Sequence, residues 1–171
     1  GDQRPADGES LTFDGRPLDQ PLDILGYPMV DLLLSVDRPL ALVAVRLCDV
    51  APDGASTLVS WGLLNLTHRD SHEFPELLVP GRRYRVTVQL NVISYRLPAG
   101  HRWRLAVSPT YTRHAWPSPE PVTLTVYTGA FQFVLITFLS SGASLITIAL
   151  TALLMNSRQS FYSITFLKEF K

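Results

Sequence analysis

Two runs of strict alternation constrain what the stretch from Trp61 to Pro109 can fold into. After the turn Pro80-Gly81, residues Tyr84, Val86, Val88, Leu90 and Val92 alternate with Arg85, Thr87, Gln89 and Asn91. A period of two sends the first set to one face of a strand and the second to the other. After Pro98-Ala99-Gly100-His101, residues Trp103, Leu105 and Val107 alternate with Arg102, Arg104 and Ala106. Each run reads as a half-buried antiparallel strand. Slipping either strand by one residue would bury arginines, so the register is well specified.

The same reading extends along the chain. Leu11-Thr12-Phe13 precedes the turn Asp14-Gly15, and Leu22 and Ile24 precede Gly26. Val30 to Val36 and Leu40 to Leu47 are largely apolar, the second with Val43, Val45 and Leu47 on one side. Ala51-Pro52-Asp53-Gly54 is a turn, since proline presets φ and glycine accepts φ > 0. Ser56 to Thr67 is strand-like again, and Val122, Leu124 and Val126 form a late strand. About eight or nine short strands separated by turns, with no convincing amphipathic helix before Tyr127, imply an all-β sandwich or jelly roll. A length of 171 residues suits one domain. The formal net charge is zero, so nothing points to a nucleic-acid partner or an electrostatically attracted membrane. The single cysteine, Cys48, excludes an internal disulfide and reads as a buried, small apolar side chain.

The wording of these blocks resembles one family. THRDSHEFPELLVPGRRYRVTVQL, PAGHRWRLAVS and WPSPEPVTLTVYTGA are similar to the C-terminal domain of the Xaa-Pro dipeptidyl-peptidase and cocaine-esterase-like (CocE/NonD) serine hydrolases. LTFDGRPLDQPLDILGYP and VRLCDVAPDGASTLVSWG resemble it as well. The resemblance covers roughly Leu11 to Ala130, with several blocks in order. It implies a galactose-binding-like jelly-roll β-sandwich. In such enzymes that domain follows an α/β-hydrolase domain with a Ser-Asp-His triad, packs on it and helps to shape the substrate pocket.

The sequence itself holds no nucleophile elbow. That motif needs a serine between glycines at a strand-to-helix turn. Gly8-Glu9-Ser10, Gly54-Ala55-Ser56 and Gly142-Ala143-Ser144 all lack the second glycine. The opening GDQRPADGES is polar and reads as a linker over residues 1–10. The expectation is a fragment beginning near a domain boundary, with the β jelly roll over residues 11–130 and the catalytic residues elsewhere in a longer parent. The resemblance favours a cytoplasmic parent enzyme and implies no cofactor.

Composition changes after Ala130. No charged residue lies between Pro121 and Ser157, and Phe131 to Met155 is an unbroken weakly polar to apolar run. As a helix it would extend about 37 Å, enough to cross a hydrocarbon core of about 30 Å. Arg158, Lys168 and Lys171 would then lie on the cytoplasmic side. No lysine precedes Arg158, although residues 1–130 hold twelve arginines, and the family's closing Leu-x-Leu-Pro-Val strand is absent. Three readings of residues 131–171 stay open: a membrane anchor, a non-native reading frame, or a last strand through Phe131, Phe133, Leu135 and Thr137 followed by a short apolar helix.

Few side chains suggest a site. Tyr111, His114, Trp116 and Pro117 belong to an aromatic loop, stiffened by Pro117 and Pro119, that precedes the Val122 strand. They are the candidates for an interdomain wall near a substrate entrance, against the alternative of a loop folded onto the sandwich's own edge. The resemblance is weaker here, because the family often carries Tyr-Trp-Pro where this chain has Tyr111-Thr112-Arg113. His68, Asp70 and His72 would share one strand face, a spacing open to metal ligation, but an exposed polar face is the better reading, with Arg69 and Asp70 holding the loop. Asn65-Leu66-Thr67 is a glycosylation sequon inside a strand-like run and reads as chance. Arg82, Arg83 and Arg85 read as a solvated edge. Three functions are compatible: the accessory β domain of a serine hydrolase cleaving esters or dipeptidyl amides, a free-standing carbohydrate-binding module, and a membrane-tethered interaction domain.

Overall fold

The computed structural model describes residues 1–112 and 114–127, together with the backbone of the strand at 132–134. A short helix, α1 (Arg4–Gly8), is followed by β1 (Leu11–Asp14), β2 (Leu22–Gly26), β3 (Met29–Val36), β4 (Leu42–Val50) and β5 (Ser56–Asn65). A 3-10 turn at Leu66–His68 leads to β6 (Tyr84–Gln89), β7 (Ile93–Leu97), β8 (Arg102–Ser108), β9 (Leu124–Val126) and β10 (Gln132–Val134). One antiparallel sheet has the order β1-β8-β4-β5. In the second, β3 pairs with β6 on one side and with both β9 and β10 on the other. β2 and β7 form a two-stranded ribbon.

The fold is an all-β sandwich, as the alternation implies. β6 is buried at every second residue, and Val30, Leu32 and Leu34 of β3 point the same way. Across the gap stand Val43, Val45 and Leu47 of β4 and Leu105 and Val107 of β8, all in one hydrophobic cluster. The expected turns carry the chain between strands, and Gly81 and Gly100 both adopt φ of 78°, a region that glycine enters without steric cost.

The outer face of the first sheet departs from the half-buried pattern. Eight of the nine residues of β4 are buried, and Ala106 and Ser108 of β8 are buried beside Leu105 and Val107. The cover comes from residues 1–10, which do not behave as a slack connection. Asp2 bridges to Thr57, Gln3 N donates to Ser56 O at 2.9 Å, and Gln3 and Asp7 are buried. The polar composition of this segment matches a polar outer sheet face, which is why it looks like a linker when read alone.

Alternation also ends sooner than the sequence suggests. Val92 is 55% exposed, not inward-facing. Leu90 N still donates to Pro28 O, in register with the β3 ladder, and Asn91 N then crosses to Trp61 O at 3.0 Å. This crossing separates β6 from β7, two strands in different sheets, and the alternation ending at Val92 does not mark β7. Gly62 of β5 lies at the crossing, and a Cβ there would come within 3.1 Å of the Gln89 carbonyl carbon and 3.2 Å of Leu90 Cα.

At the exposed edge of the first sheet, Asp14 accepts from Arg104 Nη2 at 2.8 Å and from Arg102 Nε at 3.1 Å. The hydrogen bonds from Arg104 hold its carboxyl below the ordinary range, against partial burial, and Arg102 adds to the effect. A depressed folded pKa contributes stability that is present above the unfolded value of about 3.9 and is lost as pH falls through the folded value. Acid unfolding followed by far-ultraviolet circular dichroism should therefore show a weaker dependence on pH below about 4 in Asp14→Asn. An unchanged acid limb would remove Asp14 from the account.

Candidate functional site

The loop between β8 and β9 divides into two parts. Tyr111 turns inward and is 6% exposed. Its ring lies 5.3 Å from the Arg46 guanidinium, and its hydroxyl donates to Gln3 Oε1 at 3.3 Å. Backbone bonds from His114 N and Ala115 N to Tyr111 O close a tight turn. This turn lays the His114 ring on Trp61 of β5, with centroids 4.0 Å apart and planes 17° from parallel. Trp116 then points away from the sandwich at 92% exposure, and Pro117 is exposed beside it. The loop returns through the Arg38–Glu120 ion pair at 2.9 Å and the bond from Thr123 N to Asp37 Oδ1 at 2.8 Å.

Of the four candidates, the fold brings Tyr111 and His114 together against its own side chains and leaves Trp116 and Pro117 outside. An exposed indole leaves a large apolar surface in water. A second exposed apolar group lies on the loop before β6, where Phe74 is 71%, Leu77 65% and Val79 54% exposed. That loop is firmly held from behind. Arg69 donates to Leu66 O and Glu76 O, pairs with Asp70 and Glu76, and covers the Tyr84 ring at 4.7 Å. Arg69 and Asp70 thus hold the loop as expected.

The predicted shared strand face of His68, Asp70 and His72 does not form. His68 ends the 3-10 turn, and the chain bends after it because Asn65 Oδ1 accepts from Thr67 N at 3.2 Å and Thr67 Oγ1 at 2.9 Å. Asn65 and Thr67 of the sequon are therefore a capping pair. Among the described residues no group of three His, Cys, Asp or Glu side chains gathers as a ligand set. The basic cluster is partly engaged with aromatic faces: Arg82 lies over Tyr84 and Arg83 over Tyr127.

Two polar centres escape the alternation pattern. Asp49 of β4 is buried and accepts from Tyr95 Oη at 2.7 Å, with His101 Nδ1 also at 2.7 Å. Burial, then the bond to Asp49, pushes the Tyr95 phenol up to about 12. Arg46 is 1% exposed and ties the outer sheet face to the N-terminal segment. Its Nη1 donates to Gln3 Oε1 at 3.0 Å and lies 3.1 Å from Asp7 Oδ1, while Nη2 donates to Ala6 O and Ser10 Oγ. Asp7 also accepts from Ser56 Oγ at 2.7 Å and Arg104 Nη1 at 3.3 Å. Both centres have one visible signal, a charged residue inside an otherwise apolar β run. Neighbouring Cys48 is buried, and desolvation pushes its thiol up to about 11, which leaves it unreactive.

Known proteins resemble parts or most of this chain. The family described as the X-Pro dipeptidyl-peptidase C-terminal non-catalytic domain matches residues 1–159. Cocaine esterase from Rhodococcus sp. (strain MB1 Bresler) is 26% identical over 126 residues, which cover 67% of this chain and 22% of the esterase. A solved alpha-amino acid ester hydrolase superposes with a TM-score of 0.63 at 27% identity, covering 74% of this chain and 25% of that one. An uncharacterized membrane protein of Helicobacter pylori (strain J99) is 46% identical over 50 residues, 29% of this chain and 22% of its own length. The chain thus spans about a fifth of the curated relatives it matches.

Proposed function

Because the chain belongs to the X-Pro dipeptidyl-peptidase C-terminal non-catalytic domain family, we propose that it is the accessory β-sandwich of a larger serine hydrolase. In this reading an α/β-hydrolase domain of the same polypeptide carries the Ser-Asp-His triad and cleaves an ester or a dipeptidyl amide by acyl transfer. The sandwich packs against that domain and contributes a wall near the substrate entrance. One observation carries the proposal: the match occupies only about a fifth of an esterase relative, in a family defined as non-catalytic. The exposed Trp116 and Pro117 supply the contact, while Tyr111 and His114 brace the loop behind them. Residues 11–130 with the clipped segment 1–10 make up the domain.

Purified alone, the chain should turn over neither a chromogenic ester nor an Xaa-Pro amide. Measurable steady-state turnover would overturn the accessory role. In the parent polypeptide, Trp116→Ala should split one calorimetric transition into two, because the domains lose a shared contact. A single unchanged transition would move the interface elsewhere.

The likeness to a membrane protein favours a second reading, in which Phe131 to Met155 tethers the sandwich. That segment lies outside the described residues except for Gln132–Val134, which pairs with Met29–Asp31. Among the described residues no helix is long and apolar enough to cross a membrane. Expressed whole, a tethered chain would sediment with membranes and resist extraction by alkaline carbonate. Release by carbonate would reject the tether.

A further inference from the structure

We propose that the free edge of β6 takes up an extended acidic segment of a partner protein as an added strand, a role independent of the hydrolase reading. β6 ends its sheet: β3 pairs with it on one side, and among the described residues no strand pairs with the other. The phase of the hydrogen bonds tells which backbone groups stay open. Leu90 N donates to Pro28 O, in register with the pairs Val30–Val88, Leu32–Val86 and Leu34–Tyr84. On the far side of β3, Tyr127 N donates to Leu33 O. Even-numbered residues of β3 therefore bond towards β6, and Leu33 bonds away from it. Bonded and non-bonded pairs alternate along an antiparallel ladder. Tyr84, Val86 and Val88 thus turn their N–H and C=O groups to β3, while Arg85 and Thr87 turn theirs to the open edge. Neither has a backbone partner there among the described residues. Gln89 is closed off by Gly62 of β5, so the open run is Arg85 to Thr87.

Charge names the occupant. Arg82, Arg83 and Arg85 are exposed and form no ion pair among the described residues, although the chain as a whole is neutral. Arg82 lies 5.5 Å from the Tyr84 ring centre and Arg83 4.2 Å from that of Tyr127, which orders two guanidinium groups without neutralising them. Asp31, opposite Thr87 on β3, accepts from Thr87 Oγ1 and pairs with none of the three. A residue added opposite Arg85 would set its Cβ about 4.5–5.5 Å away, on the same exposed face. A glutamate there completes an ion pair, whereas a lysine meets like charge, the means by which edge strands refuse unsuitable neighbours. Val86 and Val88 face the core, so the added strand should alternate acidic residues outside with apolar ones inside.

The acetylated, amidated peptide Val-Thr-Val-Glu-Val-Glu-Val, titrated into the ¹⁵N-labelled whole chain, tests this. Laid antiparallel, it sets threonine opposite Thr87 and a glutamate opposite Arg85. At saturation the Arg85 and Thr87 amides should exchange with solvent about tenfold more slowly, while those of Tyr84, Val86 and Val88, already bonded to β3, change little. The same peptide with lysine in place of both glutamates should bind about tenfold more weakly, an arm that needs no variant of the protein. Arg85→Glu should weaken binding of the acidic peptide roughly fivefold. Unchanged exchange at Arg85 and Thr87, or protection on another strand instead, would overturn the site. Equal affinity for the lysine peptide, or for Arg85→Glu, would overturn the acidic class.

Discussion

Arg46→Ala should unfold the chain at a much lower urea concentration, with a loss of about 3 kcal/mol. Removing one member of a buried pair leaves the other charge desolvated, a change that typically costs about 3–5 kcal/mol. The lower end applies because Asp7 keeps Arg104 Nη1 at 3.3 Å and Ser56 Oγ at 2.7 Å. The same substitution strips partners from Gln3, Ala6 and Ser10, so the N-terminal segment should loosen before the sheets do. Amide exchange should rise first at residues 3–10. Combining Arg46→Met with Asp7→Asn should recover much of the loss, because a matched apolar and neutral replacement leaves no orphaned charge. A midpoint shift worth less than about 1 kcal/mol for Arg46→Ala would show that the pair contributes little.

The second large effect belongs to Gly62→Ala. Strand propensity alone predicts a gain, since glycine weakens a strand interior. The fold predicts the opposite sign, a loss of about 1–3 kcal/mol, because the new methyl would meet rigid backbone at Gln89 and Leu90. Relief requires parting β5 from the crossing, which breaks the bond from Asn91 N to Trp61 O and that from Ser60 Oγ to Asn91 O at 2.8 Å. Gly8→Ala is the internal control, since a Cβ there meets nothing within 4 Å. Its effect should stay near zero or be slightly stabilising. Thermal unfolding of both variants decides the matter, and a neutral Gly62→Ala would refute the close approach.

These two residues also mark where the sequence is legible. Alternation locates β6 and β8 because one face of each is apolar and a register slip would bury charge. It fails at β4, where both faces are buried and the second is covered by a polar partner. Arg46 in an apolar run is the trace of that cover, but its partners Gln3, Asp7 and Ser10 are more than thirty residues upstream and carry no periodicity. β7 is hidden for a related reason: the crossing at Leu90–Val92 has no glycine or proline to punctuate it. The aromatic loop is legible as a loop. The division between an inward Tyr111 and an outward Trp116 is not, since it depends on the Arg46 guanidinium and the Trp61 ring as docking surfaces. His68, Asp70 and His72 look like a strand face only until Asn65 caps a turn.

The attachment of the first ten residues has a mechanical consequence. A slack tether lets two bodies reorient freely and transmits no torque. Here a pull on Gly1 would act at once on the Asp2–Thr57 bridge and then on the Arg46–Asp7 pair, across the middle of a four-stranded sheet. Anything joined at Gly1 would therefore be held in a defined direction, and the leash would end at the β4 surface, not at Leu11. Single-molecule pulling from Gly1 should register a distinct early rupture that Arg46→Ala abolishes.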